Sequence, residues 1–439
     1  MLSSEVLHKA SALVRMHAKP RTKGRVTRVA GLLIEATVPG AQIGDLIEVD
    51  TVGKSISCEV VGFREDCALA IPMGTTKGIS PGAQVEACGT ASEVAVGRSM
   101  FGRVVDAFGH PIDGRGPLHC VDRVPASTSA PALSERALVQ ERFGTGVQIV
   151  DALIACGRGQ RVGIFAGAGI GKSVLVEQIA RSSTADVTVV GLIGERGREV
   201  RDLMSDQDRR RLVIVAATSD RSPMERVRGA HTATAIAEYF RGKGKHVLLV
   251  IDSLSRYAMA LREIGLAIGE PPATKGYPPS VFAAMPRLLE RVSPLEIGGS
   301  ITGFYTVLAE GDDLSDPIAD SARSLLDGHI VLSREKANRG HFPAIDVLAS
   351  GSRVANQITT AAVQKLGKQV RQLLARRQIV QELQSFGAYQ PGQNPDNDEA
   401  LKIGAELDQW MLQAPTERCQ FDAAVSSLEK VMLGESFHA

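Results

Sequence analysis

Three groups of residues have the types and spacing for phosphate chemistry. In "IFAGAGIGKSVLVEQIA" (164–180), Gly171-Lys172-Ser173 closes a glycine-rich run that fits a nucleotide-binding P-loop at every position but the first, where Ala166 replaces Gly. The backbone N–H groups of Gly167, Ala168, Gly169, Ile170, Gly171, Lys172 and Ser173, with a helix N-terminus behind them, can hold a polyphosphate. Lys172 would then reach the β- and γ-phosphates and the Ser173 hydroxyl a Mg²⁺ ion. Ala166 lies at the edge of such a cradle and is acceptable there if its φ is negative. The stretch "HVLLVIDS" runs an apolar segment into Asp252, from which a carboxylate can hold water on Mg²⁺. In "GLIGERGREV" Glu195 ends another apolar segment, where it could polarise the water that attacks a γ-phosphate. A helix start also favours a glutamate through the macrodipole, a part that Glu199 fills more naturally. Replacing Lys172 should therefore stop the chemistry and leave the fold intact, because it removes charge and no core volume.

The elements around these residues are legible. "RVGIFAG" reads as a strand, "AGAGIGK" as a turn and "SVLVEQIA" as a helix, the order that a P-loop needs. From about 137 to 356, unbroken apolar runs alternate with helical stretches, which predicts an α/β domain with a parallel sheet covered on both faces. From about 24 to 89 the runs are short and separated by Gly, Pro and Asp, which predicts a small β-barrel. The Pro/Gly/Ser-rich passage 109–135 reads as a connector lying over a surface. After Gln357 the strands stop; a long helix-period run follows, then the turn "PGQNPDND" and a second helical part. The expected division is an N-terminal amphipathic segment (1–21), a barrel (22–95), the P-loop domain (96–360) and a helical domain (361–439). No internal repeat is present.

Bulk properties exclude several classes. A net charge of +1 with 23% charged residues argues against a dedicated nucleic-acid binder. A barrel that binds single strands needs aromatic platforms, and Phe63 is the sole aromatic between Arg21 and Glu93. No apolar run approaches the roughly 20 residues that span a bilayer. The first residues lack a continuous apolar region and a small-residue cleavage site, so no signal peptide is expected. Six scattered cysteines without a CxxC pair suit reduced thiols in a cytosol.

With these residues in view, the chain resembles the family of hexameric ATPases related to the subunits of rotary ATP synthases. "PAIDVLASGS" (343–352) is similar to that family's signature decapeptide, and "MFGRVVDAFGHPIDG", "LIGERGREV" and "AEGDDLSDPIADSARSLLDGHIVLSRE" match as well. The resemblance implies a RecA-like P-loop core between a small barrel and a helical C-terminal domain. It implies ATP and Mg²⁺ as ligands, with Lys172 and Ser173 as the P-loop pair, Asp252 as the Mg²⁺-associated aspartate, Glu195 as the catalytic glutamate and Arg196 supporting the phosphate site. Arg353 matches an arginine that reaches a neighbouring subunit's nucleotide. Phe342 matches the aromatic on the adenine, and Tyr389 is a further candidate for that pocket. A non-catalytic rotary subunit would be expected to lack Lys172 or Glu195, and neither is missing.

Within the family, "RYAMALREIGLAIGEPPATKGYPPSVFA", "DPIADSAR" and "SFGAYQPGQNPDNDEALK" resemble the ATPase of flagellar protein export. Virulence-type secretion ATPases are the alternative; they usually carry Glu-Val-Arg at Ser321-Ala322-Arg323 and Ile-Gly-Glu-Tyr at Phe386-Gly387-Ala388-Tyr389. The resemblance implies a homohexamer at the cytoplasmic face of the membrane export gate, acting on chaperone–substrate complexes. It also implies a regulatory stator protein docked at the N-terminus and a coiled-coil stalk in the ring pore, facing "GEPPATKGYPPS" and "PDNDEA". It implies no nucleic-acid partner.

Overall fold

The computed structural model describes residues 23–90, 93–204, 210–309 and 316–434. The N-terminal amphipathic segment expected over 1–21 lies outside the described residues. Two compact units divide the chain: residues up to 92 together with 264–270, and the rest.

In the first unit, β1 (Lys23–Ala30), β2 (Leu33–Thr37), β3 (Asp45–Thr51), β4 (Lys54–Arg64), β5 (Cys67–Pro72) and β6 (Gln84–Thr90) close into an antiparallel barrel in the order β1-β2-β5-β4-β3-β6. Alternate residues point inward, so Ile34, Ile47, Val49, Ile56, Cys58, Val60, Ala70 and Val85 fill the interior. The period-2 pattern of the sequence is this alternation.

In the second unit, β7 (Glu93–Val96) and β9 (Asp122–Pro125) form a two-stranded ribbon flanking β8 (Arg103–Val105) in sequence, and β10 (Arg142–Phe143) pairs with β11 (Cys156–Gly157). The passage expected to be a bare connector thus contributes a strand, held because Val94 and Val96 are buried in the core. The main sheet adds β12 (Arg161–Ala166), β13 (Val187–Ile193), β14 (Leu212–Ala217), β15 (His246–Asp252), β16 (Ser300–Leu308), β17 (Gly328–Leu332) and β18 (Ile345–Ser352). Its order is β18-β17-β12-β16-β15-β13-β14-β8. Every neighbour pair is parallel except β17 with β18. The expected parallel sheet is present, with one antiparallel pair at its β18 edge. The link between β17 and β18 holds only the short helix Arg334–Asn338.

The consecutive placement of β12, β16, β15 and β13 decides where chemistry can occur. Ala166 is level with Leu308, Ile251 with Tyr305, and Leu192 with Asp252. The carboxyl ends of four adjacent strands therefore share one edge, the edge at which open α/β sheets bind ligands.

The helices Ala361–Ser385, Pro395–Trp410 and Phe421–Met432 pack on the same core as β12 and the helix Gln148–Leu153. Trp410, the single tryptophan, is fully buried, and its indole N–H donates to Ser427 Oγ at 2.9 Å. Leu407, Leu428 and Val431 are equally enclosed in this core. Among the described residues no helix is long and apolar enough to cross a membrane, and all six cysteines are free. Leu428→Ala should lower stability by about 2–5 kcal/mol, the usual cost of such a cavity. A fall in the urea midpoint of the Trp410 fluorescence transition would register it; an unchanged midpoint would show that the helices are not held by this core.

Candidate active site

The glycine turn after β12 follows from its backbone. Gly169 and Gly171 have φ of +78° and +91°, a region that L side chains resist. Ala166 instead ends β12 as a strand residue, buried, with its carbonyl accepting from the Ala309 N–H at 3.0 Å. A methyl group is at home there, and the cradle keeps the two glycines whose φ requires them. The helix Lys172–Ser182 begins directly behind the turn. Ile170 turns its side chain into the core and offers the loop only its backbone.

Lys172 is buried, and its ammonium donates to Asp252 Oδ1 and, at 3.3 Å, to Glu195 Oε1. Asp252 is 1% and Glu195 8% exposed. Burial alone would depress the Lys172 pKa, but the two carboxylates outweigh it and hold the ammonium above its ordinary value. Thr306, from the intervening strand β16, donates its hydroxyl to the same Asp252 oxygen. Ser173 is exposed to the cleft and donates to Glu199 Oε2 at 3.3 Å. Burial, and then the neighbouring Glu195 and Asp252, raise the pKa of Glu199.

A cavity of about 740 Å³ opens over this cluster, in the size range of small-molecule sites. Of the residues that the sequence reading singled out, Gly167, Ala168, Gly169, Gly171, Lys172, Ser173, Glu195, Arg196 and Phe342 line it, whereas Asp252 lies behind Lys172. The structure adds Glu199, Arg256, Gln178, Gln413 and Pro415, which that reading missed. Arg256 sits one turn past Asp252, and its buried Nε has no hydrogen-bond partner. Position after a strand-end aspartate was the only signal that could have found it. Gln413 and Pro415 come from the helical domain, and nothing local in the sequence marks them. The Gln413 amide donates to Gly146 O at 2.9 Å and accepts from Gln148 N–H at 2.8 Å, while its backbone N–H donates to Phe342 O at 3.1 Å. The helical domain is thereby stitched to the cavity wall.

Two candidates lie elsewhere. Tyr389 is not in the cavity: its hydroxyl lies 2.7 Å from Asp398 Oδ1 and 3.1 Å from Asn394 O, at the start of the helix Pro395–Trp410. That corrects its assignment to the base pocket, where Gln413 and Pro415 stand with Phe342. The same helix start uses the acidic turn, since Asp398 also accepts from Gly392 N–H and Asp396 pairs with Arg376 at 3.0 Å. Arg353 is exposed and does not line the cavity of its own chain.

The geometry can bind a polyphosphate on the loop and place a carboxylate, Glu195, beside its terminal group. Comparison with known proteins shows the family. The ATP synthase alpha/beta family, nucleotide-binding domain, matches residues 146–352, and the beta-barrel domain of that family matches 26–89. The T3SS EscN ATPase C-terminal domain matches 359–430. The flagellum-specific ATP synthase of Bacillus subtilis (strain 168) is 46% identical over 92% of this chain and 94% of its own length. The chain belongs to the family of flagellum-specific ATP synthases and type 3 secretion system ATPases. A type 3 secretion system ATPase of Pseudomonas savastanoi pv. phaseolicola is also 46% identical, over 92% of each chain. Among solved structures of this ATPase family, the assembled ATPase EscN of the enteropathogenic E. coli type III secretion system superposes with a TM-score of 0.88 at 39% identity. It covers 93% of this chain and 99% of its own. EscN in complex with its central stalk EscO gives a TM-score of 0.85 at 38% identity, with the same coverage.

The burial of Lys172 changes what its removal should do. The sequence implied a loss of activity alone; the structure shows two carboxylates left enclosed without their cation. Lys172→Ala should cut ATP turnover more than tenfold and also cost about 3–5 kcal/mol of stability at neutral pH. Thermal unfolding of the variant beside the parent protein at pH 7 tests this; an unchanged midpoint would contradict the pairing. Gly171→Ala should also impair nucleotide binding, because its Cβ would lie 3.3 Å from the Phe342 ring at an unfavourable φ. Ala166→Gly should leave binding nearly unchanged, as titration with a fluorescent nucleotide would report.

Proposed function

We propose that this chain is the ATPase subunit of a homohexameric ring that energises type III export of flagellar proteins. The observation that carries it is the enclosure of Lys172 between Asp252 and Glu195 at the strand ends, in a chain related over nearly its whole length to export ATPases. Lys172 and the loop N–H groups bind the β- and γ-phosphates. Glu195 orients and polarises the attacking water, Arg196 supports the phosphates, and Phe342 packs on the adenine. Among the described residues no group of three metal-ligating side chains exists, which suits Mg²⁺, an ion that keeps several waters and binds few protein ligands beside phosphate oxygens. Ser173 and the water-holding Asp252 fit that need. Bound there, Mg²⁺ would neutralise charge on the β- and γ-phosphate oxygens.

Arg353 completes a neighbour's site in this reading. Rotary synthases divide labour between two kinds of chain; here one chain carries both Glu195 and Arg353. Six identical subunits could form six competent sites, each shared across a heterologous interface. An isolated subunit would hydrolyse slowly, so assembly is the switch. The stator protein would dock on residues 1–21 and a coiled-coil stalk would enter the pore, as EscO accompanies EscN. Chaperone–substrate complexes and the membrane export gate are the remaining partners, with the ring peripheral at the cytoplasmic face. The second reading is a virulence-type secretion ATPase, favoured by the equal identity of the Pseudomonas relative. Deleting the gene and analysing culture supernatants separates the two. Loss of hook and flagellin subunits supports flagellar export, and loss of effector proteins alone rejects it.

The shared site has its own test. Arg353→Ala rings should lose about 10³–10⁵ in rate, the worth of an arginine finger, although each subunit keeps Lys172 and Glu195. Mixing them with Glu195→Gln subunits should recover turnover, because some interfaces then pair an intact Glu195 with an intact Arg353. Sites acting within one chain give no recovery at any ratio.

A further inference from the structure

Arg353 can serve a neighbour only if its backbone is fixed, yet it follows the end of an edge strand. The pairing of β18 with β17 is broken by a register shift between His329 and Val331. Val331 and Leu332 face Asp346 and Ile345, whereas Gly328 and His329 face Ser352 and Gly351. A bulge therefore separates the pairs at the end of β18 from the rest of the ladder.

A buried amide reinforces those end pairs. Gln160, fully buried just before β12, donates from Nε2 to Ser352 Oγ at 3.0 Å and to the Asp327 carbonyl at 3.2 Å. Its Oε1 accepts from the Gly157 N–H at 2.9 Å. Both amide protons and the amide oxygen are used, and the partners fix the orientation: reversed, the NH₂ would meet the Gly157 donor and the oxygen the Asp327 carbonyl. That carbonyl also accepts from the backbone N–H of Arg353, at 2.9 Å. The Asp327 side chain is itself held, receiving the Arg161 N–H at 3.1 Å and Arg161 guanidinium donors at 3.0 and 3.1 Å. Packing leaves the amide no freedom, since a Cβ at Gly328 would lie 2.8 Å from Gln160 Nε2 and 3.1 Å from the Gly351 carbonyl.

We infer that Gln160 is the positioning residue of Arg353: through Ser352 and the Asp327 carbonyl it sets where the exposed guanidinium is presented to the next subunit. The inference rests on the reading of Arg353 as a group that acts in trans. Gln160 touches no part of the cavity of its own chain, so its loss should damage the neighbour's site and spare its own.

The test uses assembled rings of the full chain. Gln160→Met keeps the length of the side chain and removes both donors. It should lower kcat by about 10–100-fold, the scale of a 1 Å misplacement, with KM and affinity for a fluorescent ATP analogue almost unchanged. Mixing with Glu195→Gln subunits should recover turnover, as for Arg353→Ala, because a Gln160→Met subunit still offers an intact Glu195 to a good finger. Unchanged kcat, lost nucleotide affinity, or a loss of turnover that mixing does not recover would each overturn the inference. Should Gln160→Met fail to fold or assemble by light scattering, Ser352→Ala carries the same readouts with a smaller loss of about 5-fold, one hydrogen bond's worth of rate. The Arg353→Ala and Glu195→Gln mixture leaves Gln160 untouched. Its failure to recover would strike the trans reading itself and is thus distinguishable from a failure confined to Gln160.

Discussion

The enclosure of one ammonium between two carboxylates governs the rest of the architecture. Lys172, Asp252 and Glu195 follow three different strands and meet in a space almost closed to water. Charges so placed are tolerable only together, since removing one leaves another buried and unpaired. The strands behind them must end level, and the sheet order β12-β16-β15-β13 makes them do so. Thr306 on the strand between supplies the hydroxyl that completes the Asp252 environment. A polyphosphate entering the loop would compete for the Lys172 ammonium with carboxylates that are already in place, so the site is organised before its ligand arrives.

The wall of the cavity has a different origin from its floor. Loop and strand ends form the floor, within one fold. The wall combines Phe342 with Gln413 and Pro415, from the turn that joins two helices of the C-terminal part. Because Gln413 bridges the segment 146–148 and the Phe342 carbonyl, this wall exists only while helices and sheet keep their relative placement. Any agent that shifts this turn changes affinity for nucleotide, and by reciprocity nucleotide changes affinity for that agent.

The floor was legible in the sequence and the wall was not. Lys172, Ser173, Asp252 and Glu195 could be read because each sits at a fixed step from an apolar strand, and such steps are local. Phe342 and Arg353 became candidates only through the resemblance of the stretch around 343–352. Arg256, Thr306, Gln413 and Pro415 belong to the site because the chain returns to it from elsewhere, and no spacing records that return. Tyr389 illustrates the reverse error. The resemblance made it a further candidate for the adenine pocket, but the Asp398 carboxylate and Asn394 carbonyl claim its hydroxyl for a helix start. Strand β9 escaped notice inside a run rich in Pro, Gly and Ser, where pairing with β7 and burial of Val94 and Val96 outweigh composition. The apolar runs of β12 to β16 left no such ambiguity.

Strand β12 has a mechanical property that follows from its two ends. At its carboxyl end stands the phosphate loop; at its amino end Gln160 and Arg161 grip Asp327 and Ser352, next to Arg353. Six residues of extended chain span roughly 20 Å, and hydrogen bonds to β16 on one side and β17 on the other keep this stretch from bending. It is in effect a short rigid strut joining the pocket a subunit fills to the side chain it extends outward. In a closed ring such struts would stand pocket to finger around the circle. Within each chain, strain at the cradle would then have a stiff path to the backbone beside Arg353.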